Sequence, residues 1–280
     1  SRGLGDVYKR QMHACGHDLH TCTGLGVARL LAQEPHLGAR VRLLFQPAEE
    51  LAQGAVWMRD AGAVEGLDAL YGVHVVPNLP VGTVGIRRGC LTAAAGELEI
   101  FVQGQGGHGA RPHQSVDAVW LAARVITELQ QTIARRLDAL QPVVISFGKV
   151  EGGRAFNVIA DQVRLLGTVR CLDLQQHAQL PAWIDETVQG ICASGGGTAV
   201  VNYRCIAPPV HNDPQLTTLL ERCAVECLGR DKVLPVEQPS LGAEDFAELL
   251  RDVPGMMVRL GVAGSKAVSY THLRAHETQQ

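Results

Sequence analysis

The chain has 280 residues, 46% hydrophobic and 19% charged, with a formal net charge of -3. That length holds one large domain or two modest ones with ample core. The near-neutral balance points to neither a nucleic-acid polyanion nor an anionic membrane surface as partner, and no apolar run approaches the roughly 18 residues a membrane helix needs.

No basic segment followed by an apolar stretch opens the chain, so no secretory signal is read. The eight cysteines form no CxxC pair, and a chain of this size needs no disulfide staples. Most are expected as small buried hydrophobes in a reducing compartment, with the cytoplasm as the default location. The opening SRGLGDVYKRQ and the closing AVSYTHLRAHETQQ carry no helix or strand periodicity. They resemble translated sequencing-adaptor sequence. On that reading residues 1–11 and 265–280 are non-native tails, and His272 and His276 carry no function.

In chain order, His17–Glu34 reads as a helix that Gly24 and Gly26 weaken. Arg40–Gln46 reads as a buried strand ended by Pro47, and Glu50–Ala61 as a helix closed by Gly62. Leu67–Val75 and Gly82–Arg87 read as strands, so that this part suggests an α/β sheet with parallel elements. From Ala93 the pattern changes. GELEIFVQG alternates as a strand, and a helix after Ser115 stripes Ala118, Ala122, Val125, Leu129 and Ile133. VVISFGKV and FNVIADQVRLLGTVRC read as strands, Pro181–Ala193 as a helix and TAVVNYRC as a last strand. That β-α-β-β-α-β order is ferredoxin-like. Beyond Ile206 the first pattern resumes, with an amphipathic helix after Asp213, a short helix Glu244–Arg251 and an apolar strand Met256–Leu260. The architecture read here is an α/β domain (12–92 and 204–264) interrupted by an α+β domain (93–203).

Three motifs at element ends carry candidate chemistry. MHACGHDLH sets Cys15 and His17 two residues apart, so that in extended backbone thiolate and imidazole project to one side. That donor pair suits zinc or a similar divalent ion. FQPAEE puts Glu49 and Glu50 directly after a strand, where ligand sites of open α/β sheets fall. One carboxylate can bind metal while its neighbour takes a proton from water. YGVHVVP puts His74 near the end of an apolar strand. Alone, each has a bland reading: a structural Cys–His turn, a helix-opening acidic pair, and a satisfied core histidine. Together they form one hydrolytic site.

MHACGHDLH, FQPAEE, YGVHV, GGHGARPH, FNVIADQVRLLGTVR and GAEDF, in this order, resemble the aminoacylase and carboxypeptidase family of dinuclear metallopeptidases. The resemblance covers roughly Met12–Gly264. It is closest to the amidohydrolase branch of hippurate hydrolase, indoleacetyl-amino-acid hydrolase and N-acyl-amino-acid amidohydrolase type. It implies a zinc-peptidase-like catalytic domain with an inserted lid that also dimerises. It further implies two divalent ions (zinc or manganese), and an N-acyl-amino acid or short peptide as substrate. Cys15, His17, Glu50 and His74 correspond to metal ligands, and Glu49 to the general base that later protonates the leaving amine. His108 corresponds to the histidine that stabilises the oxyanion. Asn157 and Arg170 correspond to groups that hold the substrate carboxylate, although a turn Asn and a surface strand Arg explain them as well. Glu244 is either a support to the site or a helix-opening acid.

The resemblance also implies an earlier strand with a RADMDALP-like aspartate and a last histidine in an LHxPxF-like motif. Neither is in the 280 residues, and Ala160 stands where the usual NVIP has proline. The chain by itself is therefore expected to be inactive or poorly stable. The competing readings are a dipeptidase or N-acetyl-diaminopimelate deacetylase of the same family, and a non-catalytic dimerising module. A Cys15–His17 cysteine protease is disfavoured, because residues two apart rarely give nucleophile–base geometry.

Overall fold

The computed structural model describes residues 15–264 apart from 139 and 141. Both adaptor-like tails lie outside the described residues, as do residues 12–14 of the first motif.

In chain order the elements are helix α1 (His17–Leu31), helix α2 (Gly54–Asp60) and strands β1 (Leu70–Pro80), β2 (Val84–Ile86) and β3 (Gly89–Cys90). Next come β4 (Ala94–Gln103), β5 (Gly107–His108), α3 (Ala118–Arg136), β6 (Val143–Gly152), β7 (Val158–Ile159) and β8 (Gln162–Cys171). Helix α4 (Leu174–Ser194), β9 (Thr198–Ala207), β10 (His211–Asn212), α5 (Pro214–Leu228), β11 (Val233–Pro235) and β12 (Gly255–Ala263) complete the chain. Two compact units result. One holds the described residues up to Leu91, His211–Gln238 and those from Asp245 onward; the other holds Thr92–Val210 and Pro239–Glu244.

The first unit is built on a mixed sheet of order β1-β12-β2-β11. β1 runs parallel to β12, which is antiparallel to β2, and β11 is parallel to β2. Its apolar positions Leu70, Val75, Ile86, Met256 and Met257 are buried. Asn212, fully buried, donates to Arg87 O at 2.8 Å and Met257 O at 3.0 Å and accepts from Met257 N at 2.8 Å. Both amide hydrogens and the carbonyl oxygen are bonded to backbone, which locks the chain return at β10 onto β12.

Two expectations for this unit need correction. Arg40–Gln46 forms no strand, and Val41, Leu43 and Phe45 are 53%, 38% and 48% exposed. No strand pairs with it among the described residues, and an apolar run becomes a strand only where a neighbour supplies the other half of the ladder. The segment is held instead by Arg42, which donates to Ala63 O at 2.7 Å, and by the Phe45 ring. That ring lies so close to Gly24 of α1 that an added Cβ would meet it at 3.1 Å. The helix expected over Glu50–Ala61 is broken in two. Ala48 (φ 50°) and Ala52 (φ 51°) are left-handed and bracket a 3-10 turn at Glu49–Leu51, so α2 begins only at Gly54.

The second unit is an antiparallel sheet of order β6-β8-β4-β9. Numbered within the unit this is 2-3-1-4, the ferredoxin-like order read from the sequence. Leu98, Ile100, Val102, Leu165 and Val169 meet Leu121, Val125 and Leu129 of α3 and Leu180, Ile184 and Val188 of α4 in one buried core. Asp117 caps α3 by accepting from Val119 N and Trp120 N. α4 begins two turns before the expected Pro181, which sits inside it. Asp173 accepts from Gln176 N at 2.8 Å and starts the helix early, and burying Leu180 outweighs the hydrogen bond that proline cannot make. β9 runs on to Ala207, paired with Ala95, and Val210 N donates to Thr92 Oγ1 at 3.1 Å. The unit therefore ends several residues later than the expected 203.

Candidate metal centre

In the first unit, α1 starts at Gly16, a left-handed residue (φ 78°) whose carbonyl accepts from His20 N at 3.0 Å. A Cβ at Gly16 would lie 2.3 Å from Val75 Cγ2, so only glycine lets the Cys15 turn press onto β1. The 3-10 turn after Pro47 presents Glu49 and Glu50, and β1 presents His74.

Ligand atoms of Cys15, His17, Glu49 and Glu50 all lie within 4.8 Å of one another. His17 Nε2 is 3.3 Å from Glu49 Oε2 and 3.9 Å from Glu50 Oε1. His74 joins through the thiol: its Nε2 is 3.5 Å from Cys15 Sγ. Metal–donor bonds of about 2.0–2.3 Å in tetrahedral array set donors roughly 3.3–3.7 Å apart, and these spacings bracket that range. Two carboxylates this close repel one another by roughly 3–4 kcal/mol at an effective dielectric of about 20, and by less where Glu50 faces solvent, and a divalent cation reverses this. Thiolate, imidazole and carboxylate are also a donor set suited to zinc and its neighbours. The residues present fit such an ion. The distances do not separate the two carboxylates into base and ligand: Glu49 is the nearer to His17 and the less exposed, and both belong to the donor group.

Burial pushes the His74 imidazole down to about 4, helped by Arg259 opposite it on β12 and opposed by the Val75 carbonyl. His74 Nδ1 donates to that carbonyl at 2.7 Å, which leaves Nε2 as the nitrogen with a lone pair facing the sulfur. His20, also pushed down to about 4 by burial and then by His17, is not part of the donor group. Its Nε2 accepts from Val75 N at 2.9 Å.

Two supports were not read from the sequence. Asp245, in the GAEDF motif and almost fully buried, accepts from Gln46 of FQPAEE and from Ala55 N at 3.1 Å. It ties the carboxylate turn to the head of α2. Beside it, Glu248 accepts from Arg59 at 2.8 Å. Only the GAEDF motif itself hinted at this, and the acid it favoured was Glu244.

His108, Asn157 and Arg170 belong to the second unit. β5 pairs with β7, with His108 opposite Val158, and Gly109 N donates to Asn157 O at 2.8 Å, so His108 and Asn157 are neighbours. His108 is exposed, and its Nδ1 accepts from Ala110 N at 3.1 Å. Arg170 lies on β8, half-buried, and donates to Thr168 Oγ1 at 2.7 Å and Val169 O at 3.2 Å. Burial lowers its pKa from the ordinary guanidinium value.

Residues 6–277 match peptidase family M20/M25/M40, a span that runs into both adaptor-like ends. A probable hydrolase of Synechocystis sp. is 56% identical over 251 residues, 89% of this chain and 64% of that protein. The N-acetylcysteine deacetylase of Bacillus subtilis is 38% identical over 256 residues, 91% of this chain and 67% of that protein. Among solved structures, the YXEP protein of Bacillus subtilis, described as a dinuclear metal binding peptidase, matches with a TM-score of 0.78 at 33% identity. That match covers 91% of this chain and 65% of the other. The chain thus spans 64% of the length of the Synechocystis relative. A match of this extent, over a donor group drawn from the motifs that first suggested it, makes the chain a member of peptidase family M20/M25/M40.

Proposed function

We propose that the protein carrying this chain is a metal-dependent amidohydrolase that cleaves the amide bond of N-acyl-amino acids. The observation that carries the reading is the gathering of Cys15, His17, Glu49 and Glu50 within 4.8 Å, with His74 Nε2 3.5 Å from the thiol. In this reading Cys15, His17, Glu50 and His74 hold part of a dinuclear site of zinc or manganese. When bound, the ions polarise the scissile carbonyl and acidify water. Glu49 takes the proton of the attacking water and delivers it to the leaving nitrogen. His108 donates to the oxyanion of the tetrahedral intermediate. Ala110 N occupies its Nδ1, so a neutral His108 carries its proton on Nε2, the donor this role needs.

Asn157 and Arg170 hold the carboxylate of the amino-acid half. Among the described residues Arg170 donates to two neutral oxygens, so an incoming carboxylate would offset the burial of its charge. Similarity to an N-acetylcysteine deacetylase supports an N-acetyl amino acid as the acyl substrate. None of the eight cysteines is in a disulfide, which supports a reducing compartment. No helix among the described residues is long and apolar enough to cross a membrane. We assign the homodimer contact to the second unit.

The test is kinetic. The whole protein, loaded with Zn²⁺ or Mn²⁺, is assayed against N-acetylcysteine, hippurate and dipeptides. Glu49→Gln should keep its metal and lose roughly 10²–10⁴ in turnover, whereas Glu50→Gln should lose metal. Intact turnover in Glu49→Gln, or equal metal loss in both, would sink the assignment. A preference for dipeptides would move the substrate class instead.

A further inference from the structure

We propose that His20 is a positioning residue for the metal centre, one that fixes the edge of β1 at Val75 and the ring of His74 without binding metal itself. The proposal rests on the functional reading above and extends it to a residue that reading leaves out.

β1 is an edge strand among the described residues, paired only with β12. The N–H and C=O of Val75 are both taken by imidazoles. Val75 N donates to His20 Nε2 at 2.9 Å, and Val75 O accepts from His74 Nδ1 at 2.7 Å. A backbone N–H can only meet a lone pair, so His20 carries its proton on Nδ1. A carbonyl can only meet a donor, so His74 also carries its proton on Nδ1 and turns Nε2 toward Cys15. One valine backbone therefore sets the tautomers of two histidines.

The rings complete the arrangement. His20 stands edge-on to His74, with centroids 4.6 Å apart and planes at 60°, and its other side faces His17 at 5.5 Å. It fills the space between two proposed ligands while its own Nε2 is occupied by backbone. Its backbone N, bonded to Gly16 O, holds the turn that carries Cys15 and His17. In the sequence, His17 and His20 stand three apart on one helix face. The fold gives His17 the carboxylates and His20 the strand.

Three variants of the whole protein separate the parts of this role: His20→Phe keeps a ring but removes the acceptor, His20→Gln keeps an acceptor but removes the ring, and His20→Ala removes both. Each is loaded with Co²⁺, whose thiolate charge-transfer and d–d bands report the geometry at Cys15, and Zn²⁺ affinity is measured by chelator competition. His20→Phe and His20→Ala should weaken Zn²⁺ roughly 10–100-fold and shift the d–d bands, with the thiolate band retained. His20→Gln should recover part of the affinity. Nitrogen-15 NMR of the metal-free wild type should show His20 protonated on Nδ1. Wild-type affinity and bands in a folded His20→Phe would overturn the proposal while leaving the metal reading intact. So would a loss of metal in His20→Gln as complete as in His74→Ala, which would make His20 a ligand. The absence of any thiolate band in the wild type would overturn both readings together.

Discussion

Cys15 Sγ and His74 Nε2 stand 3.5 Å apart although 59 residues separate them in sequence. The contact joins a turn at the head of α1 to the middle of β1, and it is the longest reach within the donor group. Cys15→Ser keeps the shape but replaces a soft thiolate with a neutral hydroxyl. Zn²⁺ affinity, read by chelator competition, should fall by more than the about 10–100-fold typical of losing an outer hydrogen-bond partner. An unchanged affinity would remove Cys15 from the site.

Two glycines, one capping α1 and one inside it, should respond with opposite signs. Gly16→Ala forces a side chain into left-handed backbone with its Cβ 2.3 Å from Val75 Cγ2, and should cost roughly 2–4 kcal/mol in urea unfolding. Gly26, inside α1 with no atom of the described residues within 4 Å of an added Cβ, should gain about 0.5–1 kcal/mol as alanine. Equal effects at both positions would mean that the Cys15 turn is not pressed onto β1.

Asp245→Ala strips the acceptor from Gln46 and from Ala55 N at once. Leaving these partners unmet should cost about 1–3 kcal/mol. Because Gln46 precedes the Glu49–Glu50 turn by three residues, the variant should also bind Zn²⁺ more weakly, whereas Glu244→Ala should keep its Asp245 contacts. A stability loss with full metal affinity would limit Asp245 to packing.

Tyr203 gives the second unit a pH signature. Burial pushes its phenol up to about 12, and its hydroxyl meets His177 Nε2 at 3.0 Å. Between pH 10 and 12 the unfolded chain has lost that proton and the folded chain retains it, so stability should fall as pH rises through this window and be insensitive to Tyr203 below it. Tyr203→Phe should flatten this part of the urea-midpoint profile. It should cost about 0.5–1.5 kcal/mol at neutral pH through the lost hydrogen bond. A wild-type slope persisting in Tyr203→Phe would place the titration elsewhere.

What depends on neighbours along the chain was legible in the residues alone. The stripe Ala118, Ala122, Val125, Leu129 and Ile133 made α3, because a 3.6-residue period puts those side chains on one face whatever they pack against. The alternation in β4 and β8 and the order of elements led to the ferredoxin-like sheet, and the spacing of Cys15 from His17 and of Glu49 from Glu50 marked the donor group. The tertiary structure decided what depends on partners far along the chain. Arg40–Gln46 is apolar enough for a strand and is none, because a ladder needs a second strand. Pro181 looks like a helix start and is not, because Leu180 is buried in a core that local pattern cannot see. His20 and His74 are both histidines beside apolar residues. Only the backbone of Val75, meeting each ring with a different group, decides which nitrogen keeps its lone pair and which ring is turned toward the thiol.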